Sequence, residues 1–180
     1  MTIRFEILFD TIAVIGKPTY AVKGTPLYII KDRSFYYDVE SCYVPTVHLS
    51  CFAIDTIQLH VNVDTYICVY ADGYHPYSLW EPTSLQVPDY STGILMVHSN
   101  DDLLVGIGYG MEDTVRSTSW FDVTNGWWCI GIKEYLPGSQ AVEFATGCVA
   151  VVMDQRLVSL WIKADNWSDV AALLTNTRCR

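Results

Sequence analysis

The sequence predicts a mainly β domain with a minor helical part: an antiparallel sheet, sandwich or partly open barrel with a short C-terminal helix. Three observations carry that expectation. Apolar and polar residues alternate with period two, most cleanly where Ile57, Leu59, Val61 and Val63 interleave with Gln58, His60, Asn62 and Asp64; strand side chains alternate between faces in this way. Turn-forming residues punctuate the chain at short intervals. One stretch alone, Val170 to Leu174 behind Asn166-Trp167-Ser168-Asp169, reads as a helix.

The elements follow in order. Ile3, Phe5, Ile7 and Phe9 alternate as a half-buried strand. Pro26–Lys31 and Ser34–Tyr37 flank Asp32-Arg33, the pattern of a hairpin. The run 57–64 is followed by Tyr66–Ala71, either one long bent strand or a tight pair. Residues 72–91 are rich in Pro and Tyr and read as a long surface loop, a feature that in a compact domain is usually functional or mobile. Gly93–His98 and Leu103–Tyr109 suggest a hairpin with an acidic tip at Ser99-Asn100-Asp101-Asp102. Ser119–Val123 and Trp127–Leu136 flank Thr124-Asn125-Gly126, a strong hairpin signal because Asn and Gly tolerate positive φ. Pro137-Gly138-Ser139 ends that strand. Ala141–Ala145, Cys148–Met153 and Leu157–Lys163 read as strands, the last two joined by a turn at Asp154-Gln155-Arg156. Asn166 is expected to cap the terminal helix, with Asp169 favourable in its first turn.

The 180 residues fit a single domain, 1–180, and suffice for a hydrophobic core. Hydrophobic residues make up 51% and charged residues 17%, which excludes a disordered chain. No apolar stretch is long enough to span a bilayer. Glu6 and Asp10 interrupt the only apolar candidate for a secretory signal, so a cytoplasmic location is expected. On that basis Cys42, Cys51, Cys68, Cys129, Cys148 and Cys179 are expected as reduced thiols. No Cys-x-x-Cys pair exists, and His48, His60, His75 and His98 have no metal-ligand spacing; neither a metal nor a cofactor is expected.

The net charge of −9 is unevenly laid out. Positions 34–115, 82 residues, contain no Lys or Arg. They hold eleven acids: Asp38, Glu40, Asp55, Asp64, Asp72, Glu81, Asp89, Asp101, Asp102, Glu112 and Asp113. Residues 1–33 carry a net +2 and residues 116–180 a net zero. Such a field attracts a positively charged partner and repels nucleic acid and anionic membrane.

Chemical motifs are sparse. His98, Ser99 and Asp101 lie too close in sequence for a catalytic triad, whose members converge from distant segments. Gly106-Ile107-Gly108-Tyr109-Gly110 lacks the spacing and following helix of a dinucleotide site. No Walker A or Gly-x-Ser-x-Gly sequence occurs, and no catalytic residue is assigned.

The leading expectation is therefore a binding protein, not an enzyme, that neutralises a basic partner. Asp72, Glu81, Asp89, Asp101, Asp102, Glu112 and Asp113 would supply the charge, and Tyr74, Tyr77, Trp80 and Tyr90 the aromatic anchors. In size, acidity and lack of a catalytic signature the chain is similar to bacterial immunity proteins. That similarity implies a toxin nuclease as partner. Phage-encoded acidic inhibitors that mimic nucleic acid share the profile. The alternative is a small-ligand-binding or carbohydrate-active β-barrel, with Trp80-Glu81, Trp120 and Trp127-Trp128 lining a pocket.

Overall fold

A computed structural model describes residues 1–9, 14–21, 34–42, 45–111 and 118–177. The fold is mainly β, as the alternation requires, and its strands form two sheets that do not close into a barrel. The larger has eight strands in the order β1-β8-β12-β13-β14-β11-β10-β7. These are β1 (Ile3–Phe9), β7 (Trp80–Pro82), β8 (Ser91–Ser99), β10 (Ser119–Phe121), β11 (Trp127–Gly131), β12 (Gln140–Ala145), β13 (Cys148–Met153) and β14 (Arg156–Lys163). The smaller has six, β2-β3-β6-β5-β4-β9. They are β2 (Ile15–Ala21), β3 (Ser34–Ser41), β4 (Leu49–Ile54), β5 (Ile57–Asn62), β6 (Cys68–Tyr74) and β9 (Gly108–Gly110). The helix α1 (Trp167–Thr177) follows β14.

Most neighbours pair antiparallel, but β7–β10, β8–β12 and β4–β9 are parallel, so both sheets are mixed. The sheets pack face to face. In β11, β13 and β14 alternate residues serve two cores. Trp128, Ile130, Ala150, Val152, Leu160 and Ile162 face the smaller sheet. Trp127, Cys129, Val149, Val151, Val158 and Trp161 form a second cluster on the opposite face. Burial on both faces explains why these strands read as continuous apolar runs.

Several sequence expectations need correction. Residues 72–91 are not one loop: β6 runs through Tyr74, a 3-10 turn spans Tyr77–Leu79, and β7 carries Trp80 into the core. Burying an indole outweighed the turn-rich composition. The segments 93–98 and 103–109 are not a hairpin. β8 pairs with β1, whereas β9 crosses to the other sheet beside β4. The strand after Gly126 ends at Gly131, whose φ is +106°, not at Leu136. Asn166 does not cap α1 with its side chain. Its Oδ1 accepts the Tyr20 N–H at 2.9 Å and its Nδ2 donates to the Tyr20 carbonyl at 2.8 Å. β2 is an edge strand, and Asn166 satisfies backbone groups that no further strand reaches. The hairpin about Asp32-Arg33 lies outside the described residues; β3, which begins at Ser34, pairs with β2.

Candidate functional site

At one end of the sandwich three connections come together. Asn62 ends β5, is 1% exposed, and uses both halves of its amide. Its Nδ2 donates to the carbonyls of Pro45 and Val47 at 3.0 Å each. Its Oδ1 accepts the N–H groups of Asp64 at 3.1 Å and Thr65 at 3.0 Å, and the Thr65 hydroxyl. The segment 45–48 is thereby fixed against the β5–β6 turn. His48 and Tyr66, both at positive φ, lie in these connections.

The 99–107 connection docks beside them. The Gly106 N–H donates to the Leu49 carbonyl at 2.7 Å, and the Ile107 carbonyl accepts the Ser50 hydroxyl at 2.7 Å and the Cys51 N–H at 3.2 Å. Leu104–Ile107 is a β-turn closed by the Ile107 N–H on the Leu104 carbonyl, with Gly106 at φ +76° in its third position. Positive φ there is what a type II turn demands and glycine supplies. The turn carries apolar side chains outward: Leu104 is 60% exposed, Val105 57% and Ile107 45%, and Val47 nearby is 60% exposed. Turn tips are ordinarily polar. Asp101 and Asp102 precede the turn, with the buried Leu103 between, and Asp64 lies on the adjoining connection; all three carboxylates are exposed. Asp64 faces His48 at 2.9 Å, and the terminal ammonium stands 3.9 Å from Asp101.

Of the residues singled out from sequence, Asp101 and Asp102 come together here. The others do not join them. Trp80 is core, 4% exposed, among Tyr20, Phe35, Phe121 and Trp128. Tyr77 is half-buried beside it, its N–H bonded to the Tyr20 hydroxyl. Glu81, on β7, and Asp101, past β8, belong to opposite ends of the larger sheet, six strand spacings of about 4.8 Å apart along it. Asp72 lies on β6 and is held by His60 Nε2 at 2.8 Å. Tyr74, at the end of β6, is exposed; Tyr90 packs edge-on against Trp127, and Asp89 is exposed just before it. Glu112 and Asp113 lie outside the described residues. Sequence reading missed Asn62, Val47, Leu104, Val105 and Ile107. Alternation put Asn62 on the solvent side, and the apolar turn resembled a buried strand. The usable signal was Gly106 inside that run.

Two constellations resemble catalytic groups. Cys51 and His60 are cross-strand partners on β4 and β5, with Asp72 on His60. Burial, aided by Asp72, pushes the Cys51 thiol up, the opposite of the shift that activates a nucleophilic cysteine. His75 accepts or donates between Thr56 Oγ1 at 2.8 Å and Ser119 Oγ at 2.9 Å, with Asp55 at 3.9 Å. Ser119 and His75 are both fully buried, which makes this a clamp between the sheets. Burial pulls the His75 pKa below its usual value, against a weaker opposing pull from Asp55.

Among the described residues no cluster of His, Cys, Asp or Glu has metal-binding geometry, and Cys51, Cys68, Cys129 and Cys148 are free thiols. No described helix is long and apolar enough to cross a membrane. No protein-family model matches the sequence, and comparison with curated proteins finds no similar one.

Proposed function

We propose that this chain is an interaction protein of the inhibitor or immunity type, which binds a basic protein partner through the 104–107 turn. The observation that carries the reading is the exposed apolar turn Leu104-Val105-Gly106-Ile107 bordered by Asp101, Asp102 and Asp64. An apolar centre with a charged rim is the layout of a protein interface. Leu104 and Val105 would supply the desolvated centre, and the carboxylates would steer the partner and fix its register.

The charge layout adds support. Among the described residues the only Lys or Arg within 4.0 Å of a carboxylate is Lys17, at 2.8 Å from Asp165. Lys17 sits opposite Asp38 in register, and its raised pKa reflects Asp165 first and Glu40 and Asp38 less. Asp64, Asp101 and Asp102 have no such neighbour among the described residues, so their field remains available to a cationic surface. A toxin nuclease, which must itself carry Lys and Arg to grip phosphates, fits that description.

The test uses the full chain as bait in its native host, with captured proteins identified by mass spectrometry and association rates measured on the purified pair. Leu104→Asp should abolish capture. Asp101→Asn with Asp102→Asn should slow association severalfold with little change in dissociation. Capture indifferent to Leu104→Asp, or on-rates flat between low and high salt, overturns the reading.

A further inference from the structure

The outer face of the larger sheet, away from the 104–107 turn, carries a built cavity. Register places Ala141, Val151, Ser159 and Gly131 in one row across β12, β13, β14 and β11. The next row on the same face contains Val149, Trp161 and Cys129. A row of small side chains beside a Trp leaves a step. Two connections wall it: residues 86–89 on one side and 132–135 on the other. The first is tied down by Leu85 N–H on Asp122 Oδ2 at 2.8 Å and Thr83 N–H on the Phe121 carbonyl at 3.0 Å. The second starts where the Ile132 N–H bonds the Val158 carbonyl at 3.0 Å. The space enclosed is about 280 Å³.

Its floor is chemically incomplete. Ser159 is 1% exposed and its Oγ accepts the Trp161 indole N–H at 2.9 Å. The hydroxyl's own hydrogen meets no acceptor among the described residues. A buried donor without a partner is costly, and an occupant offering an oxygen would satisfy it. At the rim stand the carboxylates of Asp89 and Glu134, which accept only, and the phenol of Tyr135, 71% exposed. Lys133 lines the same space, but its ammonium lies 4.9 Å from the Trp120 ring centre, a partner of its own.

We propose that this cavity binds a single hydroxyl-bearing ring of monosaccharide size. The volume is at the small end for ligand sites, which limits the occupant to one ring. A hydroxyl both accepts and donates, so one molecule can receive the Ser159 hydrogen and donate to Asp89 and Glu134. An ammonium ion would leave Ser159 unpaired, and an anion would meet two carboxylates. Val87, Pro88 and Ile132 supply the apolar surface that the carbon faces of such a ring need.

Glucose, galactose, mannose, ribose and N-acetylglucosamine serve as probes in protein-observed NMR titrations of the full chain. At least one should give saturable shifts of the Trp161 indole N–H and of the amides in 86–89 and 132–135. Asp89→Asn combined with Glu134→Gln changes only exposed groups, so the melting temperature should hold while affinity falls roughly tenfold or more. The proposal is overturned if no probe saturates at tens of millimolar, if shifts map elsewhere, if the double variant binds equally well, or if methylammonium or acetate shifts these signals instead.

Discussion

Asn62 is where one side chain decides the shape of a surface. Its amide joins the Pro45 and Val47 carbonyls to the Asp64 and Thr65 N–H groups, and it does so from a fully buried position. Asn62→Asp keeps the acceptor but replaces two N–H donors with a lone-pair-bearing oxygen against two carbonyls. The cost should be about 3 kcal/mol, from two hydrogen bonds lost and a buried side-chain oxygen set against two carbonyls. In a chain of this size that is a fall in melting temperature of roughly 9 °C, measurable by scanning calorimetry. Gly126 is the second such residue. Its φ is +80°, and a Cβ built there runs into the Trp167 ring. Gly126→Val combines left-handed strain of about 1–2 kcal/mol with that clash. Denaturant unfolding should show it less stable by about 3 kcal/mol or more; full stability would disprove the turn. Both residues differ in how far sequence reveals them. Asn-Gly announced the turn at 125–126 through local backbone preference alone. Asn62 occupied a position whose alternation said solvent, and only the arrival of 45–48 from elsewhere in the chain buried it.

The same division holds for the elements. Strands whose side-chain pattern is local were readable: β1, β5, β12, β13 and β14, and the terminal helix, lie within a residue or two of where periodicity put them, apart from the helix's far end. β7 and β9 were not, because three-residue strands pairing in parallel are fixed by distant partners, not by their own composition. The 104–107 turn was half-visible. Asp101 and Asp102 were named from charge, whereas the apolar residues beside them were assigned to a hairpin that does not exist. His75 shows how elements are then joined. It follows β6 in the smaller sheet, and its ring meets Thr56 of the β4–β5 turn, Ser119 on β10 of the larger sheet and the edge of Trp128, with Asp55 nearby. The Tyr20 hydroxyl holds its carbonyl at 2.9 Å. Burial lowers the His75 pKa, so the folded state favours the neutral ring. Above about pH 6.5 both folded and unfolded forms are neutral and this ring adds no pH dependence. As pH falls through about 6.5 the unfolded chain binds a proton that the folded chain resists, and stability declines until the lowered folded pKa is reached. Melting curves at about pH 7.5 and 5.5 should show a larger acid loss for wild type than for His75→Gln. Equal losses would mean that the clamp does not titrate as argued.

At the scale of the whole molecule the question is what a net charge of −9 does to a fold whose carboxylates have few cations near them. Several carboxylates are hydrogen-bonded by histidine instead. His48, His60 and His98 each sit within 3.0 Å of a carboxylate, and every histidine of the chain falls in the base-free stretch 34–115. No Lys or Arg within that stretch offsets its eleven carboxylates. Self-repulsion of like charges weakens the compact state, and the unfolded chain relieves it by expanding. Salt screens exposed charges over about 10 Å at 0.1 M. Raising sodium chloride from about 10 mM to about 150 mM should therefore stabilise the fold. A gain of about 1 kcal/mol, of the order of surface electrostatic effects, would raise the melting temperature by roughly 3 °C. The same salt step should slow association with a basic partner, because it weakens the field that steers the encounter. Opposite signs from one change of solvent, firmer folding and slower binding, are what separate unpaired surface carboxylates from carboxylates locked in stabilising ion pairs, which would lose stability as salt rises.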